Sequence, residues 1–109
     1  MGWVVRDGKV LASVEVASSF KTRLKGLLGR DGFEGALLLR PAKSVHTLGM
    51  RFAVDVAHLD ADLCVLKVTT MRPWRLGRPV AKAHAVLEAE AGAFASWELR
   101  PGDVLELRE

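Results

Sequence analysis

Two short apolar runs at the start of the chain are separated by a turn pair. The first run is Trp3-Val4-Val5, and the second extends over residues 10–16. Between them lies Asp7-Gly8, a pair that is typical of two-residue hairpin turns because both residues tolerate the backbone that such turns require. The pattern predicts a β-hairpin.

A helical periodicity follows the hairpin. Apolar residues recur at spacings that form one stripe along a helix, and its members are Phe20, Leu24, Leu27 and Leu28. Ser18 or Ser19 can act as the N-cap, and Gly29 can close the helix. Gly26 then lies inside the helix and destabilises it by about 1 kcal/mol relative to alanine. That position therefore indicates close packing against its face.

Most of the remaining chain is predicted to form strands. Residues 36–39 are a short apolar run and predict a buried strand. Two longer apolar segments, 52–59 and 63–71, flank Asp60-Ala61-Asp62 and predict a second hairpin. Residues 72–82 hold two prolines and a glycine, which is loop composition.

Residues 81–99 fit two structures. Their alanines and glutamates favour a helix by propensity, whereas residues 85–90 also fit a strand and Gly92 interrupts any long helix. We predict a strand at 85–90, a short helical turn at 93–98 and a last strand at 104–107. The sum is an α+β domain that is β-rich, with a curved or barrel-like, mostly antiparallel sheet, one early amphipathic helix and a short late helical turn.

Composition limits the class of protein. The chain has 109 residues, half of them apolar, which predicts one domain over residues 1–109. The single cysteine, Cys64, excludes an intramolecular disulfide and a multi-cysteine zinc site. No apolar run approaches the roughly 18–20 residues that span a bilayer, and the first residues lack a secretory signal pattern. We expect a cytoplasmic protein without membrane contact.

Charge is distributed unevenly around a net value of +3. Residues 21–51 carry seven basic and two acidic side chains, and residues 66–84 carry five basic side chains and no acidic one. Residues 85–109 carry two basic and six acidic side chains. If both basic stretches fold onto one face, that face attracts phosphate, nucleic acid or another anion. The alternative is that these side chains are ordinary solvated surface.

The densest group of reactive side chains lies between residues 41 and 55. We predict a ligand-binding set that adds one helix residue to this window: Arg23, Ser44, His46, Thr47, Met50, Arg51 and Asp55. His46 carries an imidazole, the side chain that is most often used for proton transfer at neutral pH. With Asp55 orienting the ring, and Ser44 or Thr47 supplying a hydroxyl, the window can form a hydrolase-like site. Alternatively, His46 hydrogen-bonds a turn backbone and Asp55 caps or pairs with an arginine.

Other chemistry has weaker support in the sequence. His46, His58 and His84 are far apart and form no metal-binding pair, so no metal is predicted, although convergence in space stays open. Residues 72–79 interleave three arginines with Trp74, which can stack a base or clamp a phosphate. A proline-stiffened connector is the interpretation that we favour. No phosphate-binding glycine motif is present, and we predict no catalytic residue and no cofactor.

The spacing of several residue groups resembles the bacterial and archaeal family known as domain of unknown function 192. The groups are Arg23-x-x-Gly26-Leu27-Leu28-Gly29-Arg30, Ser44-Val45-His46-Thr47-x-Gly49-Met50-x-Phe52-x-x-Asp55-Val56, Ala85-Val86-Leu87-Glu88 and Gly102-Asp103-x-Leu105. The resemblance covers residues 10–108. It implies a small β-rich domain with one early helix and a strand at 85–90, and it implies no activity. The family often has a glycine where this chain has Leu63, which puts the tight turn there in question.

Three functions follow from these observations. The first is a binding module for an anionic small ligand or an acidic protein segment, centred on the window from His46 to Asp55. The second is a small hydrolase-like enzyme with His46 as the base. The third is single-stranded nucleic-acid binding through the Trp74 loop, which the acidic C-terminal quarter and the modest net charge disfavour. We expect a monomer or a weak dimer.

Overall fold

Seven β-strands in one sheet and two short helices make up the part of the chain that the structure describes. This computed structural model describes residues 2–109, and at Phe20 and Leu24 it describes the backbone alone. The elements in chain order are β1 (Gly2–Arg6), β2 (Lys9–Ala17), α1 (Phe20–Lys25), β3 (Ala36–Leu39), β4 (Val54–Leu59), β5 (Val65–Met71), β6 (Ala85–Glu90), α2 (Ala93–Ser96) and β7 (Glu106–Arg108). The predicted β-rich fold is confirmed, including the strand at 85–90.

The order of strands across the sheet is β5-β4-β6-β3-β2-β1-β7. Every neighbouring pair is antiparallel except β2 and β3. These two strands run parallel, and α1 lies in the segment of chain that connects them. Residues 102–105 hydrogen-bond to residues 63–65, which brings the start of β5 near the chain that leads into β7. The strands β5 and β7 do not pair with each other, so the sheet does not close and the barrel-like prediction is wrong.

Both predicted hairpin turns form. Asp7 and Gly8 adopt φ values of 51° and 78°, the conformation that a two-residue turn of this kind needs. In the second turn the carboxylate of Asp60 accepts hydrogen bonds from the N–H groups of Asp62 and Cys64, both at 2.9 Å. Leu63 adopts a φ of 64° there. The turn is therefore built by Asp60 and tolerates a leucine where the family often has glycine.

The first helix is shorter than its periodicity predicts. Ser19 is the N-cap, and its Oγ accepts a hydrogen bond from the N–H of Thr22 at 3.1 Å. The helix ends at Lys25, because Gly26 turns to a φ of 49° and becomes the C-cap. The predicted continuation to Gly29 is wrong. Of the predicted stripe, Leu27 is buried, whereas the side chains of Phe20 and Leu24 lie outside the described residues.

Neither described helix is long and apolar enough to cross a membrane.

The late helical turn is shorter than predicted, since α2 is a single turn over Ala93–Ser96.

Apolar side chains cover both faces of the sheet, because successive residues of a strand point to opposite faces. On β6, Ala85, Leu87 and Ala89 face the core that contains Phe94 of α2. Val86 faces the other core, which contains Leu27 from the turn after α1. We call these the α2 face and the α1 face. The alternation places Glu88 on the α1 face, in the middle of the sheet.

Candidate functional site

A cavity of about 230 Å³ opens on the α1 face. We call it the central cavity. Its wall is mostly apolar and is formed by Leu27, Leu28, Leu39, Pro41, Ala42, Val45 and Met50. Its polar and charged lining comes from Arg23, Lys25, Ser44, His46 and Glu88. A concave, largely apolar wall with a few converging polar groups is the usual composition of a small-molecule site.

Glu88 is the polar group at the centre of this cavity. It is 2% exposed and lies on β6 between Leu37 of β3 and Val56 of β4. In the described part of the chain its carboxyl group has no hydrogen-bond partner. Its Oε1 atom approaches the C-cap of α1, since a Cβ added to Gly26 would lie 3.7 Å from it.

Burial raises the pKa of Glu88 to about 7, because an ionised carboxylate loses its hydration in this position. At neutral pH the group therefore exchanges between a neutral acid, which can donate a hydrogen bond, and a carboxylate. A buried, titrating and unpartnered acid in a cavity marks a functional-site candidate.

Cationic and polar side chains surround the cavity at its rim. Arg23 is half-buried, and its guanidinium donates to the carbonyl of Ser18 at 2.9 Å. Lys25 and Ser44 are exposed. The Nδ1 atom of half-buried His46 accepts a hydrogen bond from the N–H of Leu48 at 3.3 Å, which is the turn-backbone contact given above as the alternative to catalysis.

Four of the seven predicted ligand-binding residues line the central cavity, namely Arg23, Ser44, His46 and Met50. The other three have structural contacts elsewhere. Thr47 is fully buried and bonds to the loop at residues 72–75. Exposed Arg51 forms an ion pair with Asp31 at 2.7 Å.

Asp55 belongs to the α2 face of the sheet. Its carboxylate accepts hydrogen bonds from the Oγ1 of Thr70 and from the N–H groups of Gly92 and Phe94, at 2.7, 2.9 and 3.0 Å. His46 lines a cavity on the α1 face, and among the described residues it makes no hydrogen bond with Asp55. The hydrolase-like alternative therefore lacks the carboxylate that was to orient its base.

Sequence reasoning missed two buried polar groups, Glu88 and His58. Each is flanked by buried apolar residues within its strand, β6 for Glu88 and β4 for His58. A continuous apolar run in a short strand indicates burial on both faces. The position of an acid or an imidazole inside such a run therefore predicts a buried polar group.

No three His, Cys, Asp or Glu side chains within residues 2–109 converge in a way that could hold a metal ion. The residues with ligand-binding potential are therefore those of the central cavity and of a second, cationic groove described below.

Comparisons with known proteins agree on the family. The family described as Uncharacterized ACR, domain of unknown function 192, matches residues 3–107. The chain is 29% identical to a UPF0127 protein of Pyrococcus abyssi, over 97% of each chain. It is 30% identical to a UPF0127 protein of Pyrococcus horikoshii, over 94% of this chain and 96% of that one.

A solved structure also shares the fold. It is the crystal structure of a protein of unknown function from Novosphingobium aromaticivorans, with a TM-score of 0.81 and 23% identity. The match covers 96% of this chain and 82% of that chain. At this identity the likeness concerns the fold alone.

Proposed function

The chain belongs to the domain of unknown function 192 family, and we propose that it is a binding module whose central cavity takes a small organic anion with an apolar body. The observation that carries this proposal is the buried carboxyl group of Glu88, which faces the cavity without a partner. A ligand that reaches Glu88 supplies the hydrogen bond that the protein leaves unmade.

Charge around the cavity favours an anion. Arg23 and Lys25 bring positive charge to the rim, and Glu88 carries no negative charge when it is protonated. The neutral acid can donate its proton in a hydrogen bond to an anionic oxygen, whereas the ionised form repels it. Binding of an anion is then linked to the protonation of Glu88, so its affinity falls as the pH rises above about 7.

The apolar wall limits the size and shape of the ligand. Leu27, Leu39 and Met50 bury an apolar body, and the volume of about 230 Å³ lies below the usual range of roughly 300–1,000 Å³ for ligand pockets. A small branched carboxylate meets these conditions. The small volume favours such a molecule over the acidic protein segment, which we keep as the other occupant.

Backbone amide NMR tests this proposal with three probes of one shape: isovalerate, isovaleramide and isopentylamine. We expect isovalerate to shift the amide signals of Gly26, Val45 and Met50, and to bind more tightly at pH 6 than at about pH 8. In the Glu88→Gln variant the difference in isovalerate affinity between the two pH values should be clearly smaller than in the wild type. Preference for the amine, or no shift with any probe, contradicts the proposal.

Two further variants distinguish a direct contact from the Arg23 side chain from a general effect of the net charge. Arg23→Gln should weaken isovalerate binding by about fivefold to tenfold, since it removes a charge-assisted contact. Lys21→Gln removes the same charge from an exposed position of α1 that does not line the cavity. An equal loss of affinity in both variants would show that the effect is only long-range electrostatics.

A further inference from the structure

A second groove lies on the α1 face, beside the edge strand β5. It has a volume of about 410 Å³, and four cationic side chains line it: Lys67, Arg72, Arg75 and Arg78. We call it the arginine groove. Among its described lining residues there is no acidic side chain.

Among the described residues, none of the four cations of the groove forms an ion pair. The structure describes ion pairs for Arg6, Arg30, Arg51 and Arg108, and none for the groove residues. The guanidinium of Arg75 donates hydrogen bonds to the carbonyls of Pro73 and Trp74 in the same loop, and its positive charge meets no carboxylate among the described residues. Like charges that line one groove repel one another, and a bound anion relieves that repulsion.

Buried contacts fix the loop that carries the arginines. The hydroxyl of Thr47 donates to the carbonyl of Arg72 at 2.6 Å and accepts from the N–H of Arg75 at 2.9 Å. Gly77 donates to the carbonyl of Val45 at 2.9 Å. A Cβ at Gly77 would lie 2.6 Å from that same oxygen, so the position accepts no larger residue without movement. The arginine side chains therefore extend from a held backbone, which reduces the entropy lost on binding.

His58 lies at the floor of the arginine groove. It is 3% exposed, and neither of its ring nitrogens has a hydrogen-bond partner in the described structure. Its partner on β5 is Lys67 and its partner on β6 is the apolar Val86. Burial and the positive charge of Lys67 lower the pKa of His58, so the ring is neutral at pH 7. An anion bound in the groove opposes the electrostatic effect of Lys67 on this buried ring.

We propose that the arginine groove binds the phosphate group of an organic phosphate. A phosphate carries up to two negative charges and several acceptor oxygens. It therefore suits several guanidinium groups, each with multiple N–H donors, better than a single carboxylate does. This site is separate from the central cavity, because the two share no lining residue. It assigns a ligand class to a loop that the sequence analysis favoured as a connector.

The test compares adenosine monophosphate with adenosine at low ionic strength, followed by the ring signals of the three histidines. We expect the monophosphate, and not adenosine, to shift the His58 signals and to raise the pKa of His58. His84 is exposed and outside the groove, and its signals are the internal reference. Equal responses to both probes, or a pKa of His58 that does not change at saturation, overturn the proposal.

Matched variants assign the binding to the groove. Arg75→Gln and Arg78→Gln should each weaken binding of the monophosphate by about fivefold to tenfold. Lys9→Gln, an exposed cation on β2, should change it by less than about twofold, since surface charges at a distance are screened. Equal losses in all three variants overturn the proposal.

A short oligothymidylate distinguishes the source of the phosphate. If it binds more tightly than the monophosphate, with an affinity that falls steeply with salt, the groove recognises the phosphodiesters of a single strand. If the two bind equally, the ligand is a small phosphate ester. Both results support a phosphate site, whereas failure here leaves the carboxylate test of the central cavity unaffected.

Discussion

Replacing Glu88 by glutamine should make the folded protein more stable at high pH and not at low pH. The pKa of Glu88 rises from 4.5 to about 7 on folding, because burial penalises the carboxylate. Below about pH 4.5 the acid is protonated in both the folded and the unfolded chain, and no stability is lost. As the pH rises towards 7 only the unfolded chain releases the proton, so the free energy of unfolding decreases.

The size of this loss follows from the pKa shift. At about 1.36 kcal/mol for each pKa unit, a rise from 4.5 to about 7 corresponds to about 3 kcal/mol above pH 7. Glutamine keeps the shape of the side chain and cannot ionise. The variant therefore lacks this loss, and its advantage over the wild type should grow with pH.

Urea unfolding followed by tryptophan fluorescence measures the difference at about pH 5 and about pH 8. We expect the advantage of Glu88→Gln to increase by about 2 kcal/mol between these values, because most of the titration window lies between them. Glu90→Gln is the matched control, since it removes a carboxylate from an exposed position of the same strand. An advantage that is independent of pH, or the same increase in the control, would refute the argument from burial.

Three structural predictions accompany it. Asp55→Ala leaves two backbone N–H groups at the start of α2 without an acceptor, and should lower the free energy of unfolding, measured by urea denaturation, by about 2–5 kcal/mol. Thr47→Val removes the hydroxyl that holds the arginine loop; it should cost about 1–3 kcal/mol and speed hydrogen exchange at Arg75. Gly35 has a φ of 86°, and a Cβ there would lie 2.5 Å from the Oγ of Ser13. Gly35→Ala should therefore cost about 2–5 kcal/mol, measured as the loss of thermal stability.

Elements set by short-range chemistry could be predicted from the sequence. The Asp7-Gly8 turn needs only its own two residues to adopt positive φ, and the flanking strands then pair directly. The N-cap at Ser19 is also local, because its partner is three residues away. The strand at 85–90 followed from its apolar run and from the family resemblance.

The end of the first helix could not be predicted in the same way. Gly26 and Gly29 both permit the positive φ of a helix terminus, and both adopt it in the structure. The choice of Gly26 brings the chain close to Glu88, a residue far away in sequence. Periodicity over a few residues carries no information about that contact.

The candidate site depended even more on distant pairing. His46 and Asp55 are near each other in the sequence, but the sheet places them on opposite faces. Glu88 joins the cavity because β6 inserts between β3 and β4, although β3 and β4 are neighbours in chain order. A search among adjacent residues between 41 and 55 therefore found some of the side chains that line the central cavity, but not Glu88.

The pairing of β1 with β7 also determines when the sheet can be completed. Trp3 lies opposite Arg108, so β1, the first described strand, finds its outer partner in β7, the last described one. During synthesis β1 can pair with β2 while its other edge stays open, and an unpaired edge is where strands of other chains can attach. Closing so large a loop is slow for a small domain. The outer edge of β1 therefore stays open until β7 has been synthesised, and a nascent chain that stalls before β7 presents that edge to its neighbours.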